Sequence, residues 1–213
     1  NVRGELGFFL AGQERYGEAE QVYRSALAIE PELTRPATGW RSLLLARLGS
    51  VYRDQARYAD AERLLREAVE LDEADGQIQV RSLGQRLIEL ASILRRENRY
   101  AETEAILLRA LALELPESDR ASALNSLGLV YSANGRNETA ETVLKDALAI
   151  RTRILPANSY LVVETIANLA TVDESKGQYA EAEVKFRHVL QVVDALGLSQ
   201  SSNAALYSAF LAH

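Results

Sequence analysis

The chain has 213 residues, 47% apolar and 25% charged, an ordinary composition for a folded protein and not that of a disordered one. Its net charge of −6 divides evenly, −3 in residues 1–106 and −3 in residues 107–213, so neither half has the basic excess that offsets phosphate in a nucleic-acid binder. There is no cysteine, which excludes disulfides and thiolate metal sites, and no run approaches the ~20 apolar residues of a membrane span.

The chain lacks methionine and opens at Asn1 inside a helical pattern, so it reads as a piece of a longer protein. Leu6 and Gly7 lie in this first pattern, and Tyr16 opens a second, "RYGEAEQVYRSALAIEP" from Arg15. The same order then returns four times. Leu48-Gly49 precedes "RYADAERLLREAVELD" from Arg57, and Leu90-Ala91 precedes "RYAETEAILLRALALE" from Arg99. Leu127-Gly128 precedes "RNETAETVLKDALAIR" from Arg136, and Leu169-Ala170 precedes "QYAEAEVKFRHVLQVV" from Gln178. The anchors Tyr16, Tyr58, Tyr100, Asn137 and Tyr179 are 42, 42, 37 and 42 residues apart. A fixed period of this size is the sequence mark of a solenoid of repeats.

Three residues past each anchor stands a small residue (Ala19, Ala61, Thr103, Ala140, Ala182), and seven past it a bulky one (Tyr23, Leu65, Leu107, Leu144, Phe186). Offsets of three and four put these on one helical face. A glycine inside a helix costs about 1 kcal/mol relative to alanine, so Gly49 and Gly128 need a reason, and a close helix crossing supplies one. Polar turns such as "DQAR", "RENR" and "ANGR" separate the two helices of a pair. Breaks containing Pro31, Pro36, Asp75-Gly76, Pro116, Pro156 and Gly197 separate the pairs, with Ser118 and Asn158 as expected caps. The spacing of 37 is expected to shorten a break and leave the pairs intact. Strand-like alternation is absent, and the fold class predicted is all-α: antiparallel helix pairs stacked in one solenoid over 1–213. Its parts are a partial repeat at 1–35, repeats at 36–75, 76–116, 117–156 and 157–197, and a terminal helix at 198–213.

These residues resemble the tetratricopeptide repeat (TPR), whose pattern runs L-G-x2-Y, A-x3-F, P. "LGSVY" (Leu48 to Tyr52) and "LGLVY" (Leu127 to Tyr131) match its first part, Ala182 and Phe186 its second, and Pro31 its third. The usual unit is about 34 residues, and the longer period is similar to the subclass found in kinesin light chain, with the extra length worth about one turn per helix. Asp173 departs from the pattern where Tyr52 and Tyr131 stand, which requires altered packing or local solvation, and Asn137 replaces an anchor tyrosine.

The resemblance implies a right-handed α-α superhelix whose concave wall binds a protein or peptide partner along the first helix of each pair. Carried onto this chain, the groove positions are Arg47, Ser50 and Arg53; Glu89, Ser92, Arg95 and neighbouring Arg96; Asn125, Ser126 and Ser132; and Asn168 and Thr171, with Glu174 near the edge. Asn168 stands in "ANLA", similar to the "NNLA" of kinesin light chain, where the asparagine holds a bound peptide's backbone. Forked arginine donors favour an acidic, extended segment, unless they only pair with Asp54, Glu89 or neighbouring acids.

His188 and His213 have no metal-ligand spacing, and no phosphate loop or nucleophile elbow is present, so neither a cofactor nor a catalytic group is expected. Trp40 reads as a packing residue at a helix start, and "NET" at Asn137 is an isolated glycosylation sequon. The expected function is a non-enzymatic interaction scaffold in the cytoplasm, without nucleic acid or membrane as partner. The alternative is a regulatory or self-association segment of a larger protein.

Overall fold

The computed structural model describes residues 2–29, 38–74 and 80–195. The breaks at Pro31, Pro36, Asp75-Gly76 and Gly197, the terminal helix at 198–213 and His213 lie outside the described residues. Among the described residues the structure is all-α, with ten helices and no strand. They are α1 (Val2–Gly12), α2 (Tyr16–Ile29), α3 (Thr38–Asp54), α4 (Tyr58–Ala74), α5 (Val80–Arg96), α6 (Tyr100–Leu111), α7 (Glu117–Ala133), α8 (Asn137–Ile154), α9 (Tyr160–Ser175) and α10 (Tyr179–Ala195). Each sequence anchor begins the second helix of a hairpin. The chain forms two compact units, Asn1–Leu115 with α1 to α6 and Pro116–His213 with α7 to α10.

Every hairpin turns in the same way. The residue two before each anchor takes a left-handed backbone: Glu14 (φ 60), Ala56 (φ 59), Asn98 (φ 58), Gly135 (φ 72) and Gly177 (φ 76). This conformation lets the next amide reach back to the end of the first helix, as in Arg57 N–H to the Tyr52 carbonyl at 2.8 Å and Gln178 N–H to the Asp173 carbonyl at 2.8 Å. The pattern is a Schellman closure. It satisfies orphan carbonyls and points the second helix back along the first.

The hairpins close through small residues. A Cβ built on Gly49 would lie 3.2 Å from Leu65 Cγ, and one on Gly128 only 2.5 Å from Leu144 Cγ. Gly7 meets the Tyr23 ring in the same register, with a hypothetical Cβ at 2.7 Å. Trp40, at the start of α3, lies over Gly4 of α1 as expected of a packing residue. Bulky neighbours fill the flanks: Leu44, Leu65, Leu90 and Leu107 are fully buried, as are Leu144 and Phe186 in the second unit.

Successive hairpins in each unit are also joined by charges near the turns. Arg57 reaches Glu20 at 3.1 Å and Arg99 reaches Glu62 at 2.7 Å, each arginine preceding an anchor and each glutamate lying four past the previous one. In the second unit Gln178 replaces that arginine, and Lys176 takes Glu141 at 2.6 Å instead.

Three expectations are corrected. The short spacing removes helix and not break: α6 has 12 residues where α4 has 17 and α8 has 18. Past its end Leu113 and Leu115 fold onto α5, where Leu115 occupies the space that a side chain at Gly84 would need. Ser118 lies inside α7, which begins at Glu117 after Pro116, and the Pro116 carbonyl takes the Arg120 N–H at 2.9 Å. Asn158 precedes the start of α9, where Ser159 is the flanking residue and its carbonyl receives the Val163 N–H at 3.1 Å. Neither start carries a side-chain cap; Glu117 and Asp119 in the first turn of α7 complement its positive end instead.

Candidate functional site

In the first unit, α3 touches both α1 and α5, and the three first helices open a cleft of about 440 Å³. Four residues picked out by the repeat register, Arg47, Ser50, Arg53 and Glu89, line it together. They are half-buried on one side of α3 and α5, at offsets of three that keep one face while Leu44, Leu48 and Val51 turn into the core. Phe8 of α1 and Tyr23 of α2 supply aromatic walls.

The charges in this cleft are mixed. Arg47 donates to the Gly4 carbonyl at 2.8 Å, lies 3.4 Å from Glu5 and stands 5.2 Å from the centre of the Phe8 ring. Arg53 holds Asp54 at 2.9 Å. Between them the Ser50 hydroxyl donates to Glu89 Oε2 at 3.5 Å. Burial pushes the Glu89 carboxyl above its ordinary value, against the opposing charges of Arg53 and Arg86. Burial likewise pushes the Tyr23 phenol up.

Arg86 also lines the cleft; it is buried and reaches Asp72 at 2.8 Å and the Ser42 hydroxyl at 3.1 Å. Desolvation lowers its pKa, and the nearby Asp72 charge offsets part of that effect. The groove offsets did not select Arg86. Its signal was available, because it occupies the register of Leu44 and Thr165, where a charge has no place unless a buried partner awaits it.

Along α5 the Ser92 hydroxyl turns back to the Glu89 carbonyl at 2.7 Å, and Arg95 follows one turn on, half-buried. Arg96 lies elsewhere, exposed, with its guanidinium 5.9 Å from the Tyr58 ring centre.

In the second unit, α7 and α9 bring two selected amides together: Asn168 Nδ2 donates to Asn125 Oδ1 at 3.0 Å. Asn125 is buried and Asn168 half-buried. Ser126, Ser132 and Glu174 are half-buried, while Thr171 is exposed with its hydroxyl bonded to the Ala167 carbonyl at 3.2 Å. A separate cavity of about 320 Å³, lined by Arg120, Leu124, Asp146, Ala149, Ile150 and Arg153, contains none of the selected residues.

Other candidates have plain positions. His188 is exposed on α10, and Asn137 of the sequon sits in the first turn of α8 and not in a loop. Among the described residues no cluster of three metal-ligating side chains occurs, and no helix is long and apolar enough to cross a membrane.

Helix pairs closed by small-for-large contacts and stacked through a repeated register define a helical-hairpin repeat protein. The sequence profile described as tetratricopeptide repeat matches residues 1–74, 85–153 and 119–195, and the chain belongs to that family. No curated protein sequence matches it. Among solved structures it is similar to BtubC (BKLC) from P. vanneervenii, with TM-score 0.77, 21% identity, and coverage of 90% of this chain and 78% of the other. It is also similar to the nearly identical TPR-like repeats assigned to a Podosopora anserina kinesin light chain, with TM-score 0.70, 20% identity, and 94% and 96% of the two chains covered. A Rap protein crystallised with competence and sporulation factor aligns with TM-score 0.70 and 18% identity, over 88% of this chain and 52% of the other. At these identities the likeness is one of fold.

Proposed function

We propose that this protein is a non-enzymatic scaffold that holds an extended, acidic segment of a partner protein against its first helices. The observation that carries the reading is the convergence of Arg47, Ser50, Arg53 and Glu89, from two successive repeats, on one cleft. Walls of this kind are what stacked hairpins make available to other chains. The complex of a Rap protein with competence and sporulation factor is an occupied example of the fold.

In this reading a ligand carboxylate takes the place of Glu5 at Arg47 or of Asp54 at Arg53, exchanging one carboxylate partner for another. Arg95, further along α5, extends the basic side. Described by itself, the second unit offers a peptide backbone one amide proton and the carbonyl oxygen of Asn168, while Asn125 fixes its orientation. Ser92, Ser126 and Thr171 contribute hydroxyls along the same registers.

Fluorescence anisotropy with an acidic peptide and its amidated counterpart, titrated against the wild type and against Arg53→Glu and Arg95→Glu, tests this. The acidic peptide should bind the wild type more tightly, and each reversal should remove that preference. Equal affinities across all proteins would exclude the charged groove, and no binding by either peptide would exclude the cleft as a site.

A further inference from the structure

The three guanidinium groups in the cleft of the first unit each have a carboxylate already: Arg47 faces Glu5 at 3.4 Å, Arg53 faces Asp54 at 2.9 Å and Arg86 faces Asp72 at 2.8 Å. Glu89 is the carboxylate left over. Its one hydrogen bond comes from the Ser50 hydroxyl at 3.5 Å, and among the described residues no cation reaches it at ion-pair distance. Hydroxyl donors ordinarily approach an oxygen to about 2.7–2.8 Å, so this contact is a weak one. A carboxylate drawn part-way out of water with so little in exchange is costly to keep charged. The upward push on its pKa has that origin, since burial outweighs the attraction of Arg53 and Arg86.

Position matters as much as charge. Ser50 stands midway between Arg47 and Arg53 on α3, so the two arginines are based about 9 Å apart along the helix axis. The hydroxyl contact sets the Glu89 carboxylate beside that midpoint. An extended chain advances about 3.3 Å per residue, so acids held at Arg47 and Arg53 are about three residues apart, and the residues between them pass Glu89. A segment made only of acids would bring like charge against Glu89 there.

We propose, resting on the acidic-segment reading, that Glu89 selects the partner: the partner protein's segment carries a lysine or arginine between two acids spaced three apart, and that cation pairs with Glu89. Its ammonium or guanidinium replaces the weak hydroxyl contact with a charge-assisted hydrogen bond. Arg47 and Arg53 take the acids on either side. Mixed charge then distinguishes this segment from a plain acidic tail, which is penalised at the midpoint. Residues 196–213 contain no aspartate, glutamate, lysine or arginine, so that part of the chain does not carry the pattern.

Fluorescence anisotropy on the full chain tests this with end-capped, labelled peptides whose cores are Glu-Lys-Ala-Glu and Glu-Ala-Lys-Glu, each beside a control carrying glutamine for lysine. At least one lysine peptide should bind the wild type on the order of ten-fold more tightly than its control, as one charge-assisted hydrogen bond implies. In Glu89→Gln, which keeps the shape of the side chain, that preference should vanish, and the controls should bind more tightly than they bind the wild type. Controls that match the lysine peptides on the wild type, a lysine preference that survives Glu89→Gln, or no binding by any of the four would overturn the proposal. Arg53→Glu separates its failure from that of the acidic reading. Controls that weaken with Arg53→Glu while lysine adds nothing strike this proposal alone; controls indifferent to Arg53→Glu strike both.

Discussion

Lys185 and Asp173 form a 2.5 Å ion pair across the last hairpin, in the two registers that hold Leu64 and Tyr52 in the second. Asp173 is buried, so the departure from the aromatic pattern is answered by a cation on the facing helix. Asp173→Asn should therefore destabilise by roughly 1–3 kcal/mol in urea melts, less than for a fully buried pair because the Lys185 side chain is 32% exposed. Asp173→Tyr combined with Lys185→Leu should recover wild-type stability or exceed it, and a double-mutant cycle would register the coupling.

The shared left-handed turn position gives opposite outcomes at two places. Ala56→Gly should stabilise by about 1 kcal/mol, because a Cβ is strained at φ 59. Gly135→Ala, at φ 72 with open space around it, should lose a similar amount from backbone strain alone. Thermal midpoints of the two variants, measured side by side, check both signs.

Helix crossing is tested at Gly128. Leucine there must displace Leu144 and should cost at least ~1–3 kcal/mol, readable as a lower melting temperature. Gly17 in α2 has nothing within 4 Å of a hypothetical Cβ, so Gly17→Ala should raise stability by up to about 1 kcal/mol.

Two carboxyls predict opposite pH dependences. Hydrogen bonds from Lys145 and Lys176 hold Glu141 down to about 2, below the ordinary carboxylate value of 4.5. Its contribution is thus present above that ordinary value and lost as pH falls toward 2. Glu141→Gln should flatten this acid limb of the urea midpoint. Glu89 is raised by burial, so its contribution is present below the ordinary value and lost as pH rises through its folded value. Glu89→Gln should be the more stable protein at neutral pH, with the gap closing on acidification.

The hairpins were readable because three constraints coincide in one period: apolar residues three and four apart, small residues at crossings, and a polar turn before each anchor. The turn geometry was only half visible. Gly135 and Gly177 announce a left-handed residue, but Glu14, Ala56 and Asn98 share it through register alone. The shortening of α6 was misread because the deficit of residues in a period does not say which segment gives them up. Proline at 116 and the leucines that fold over Gly84 decide it. In the cleft, Arg47, Ser50, Arg53 and Glu89 follow from register, whereas the pairing of Arg47 with Glu5 spans 42 residues and leaves no mark in any local pattern. The meeting of Asn125 with Asn168 is of the same kind.

The arginine and glutamate links between successive hairpins sit at the water's edge, next to the turns, while the apolar seams run inside. Added electrolyte weakens the former and spares the latter. Ionic strength should then loosen the junctions while each hairpin keeps its own helices, so that the array melts in segments and loses its sharp, single transition.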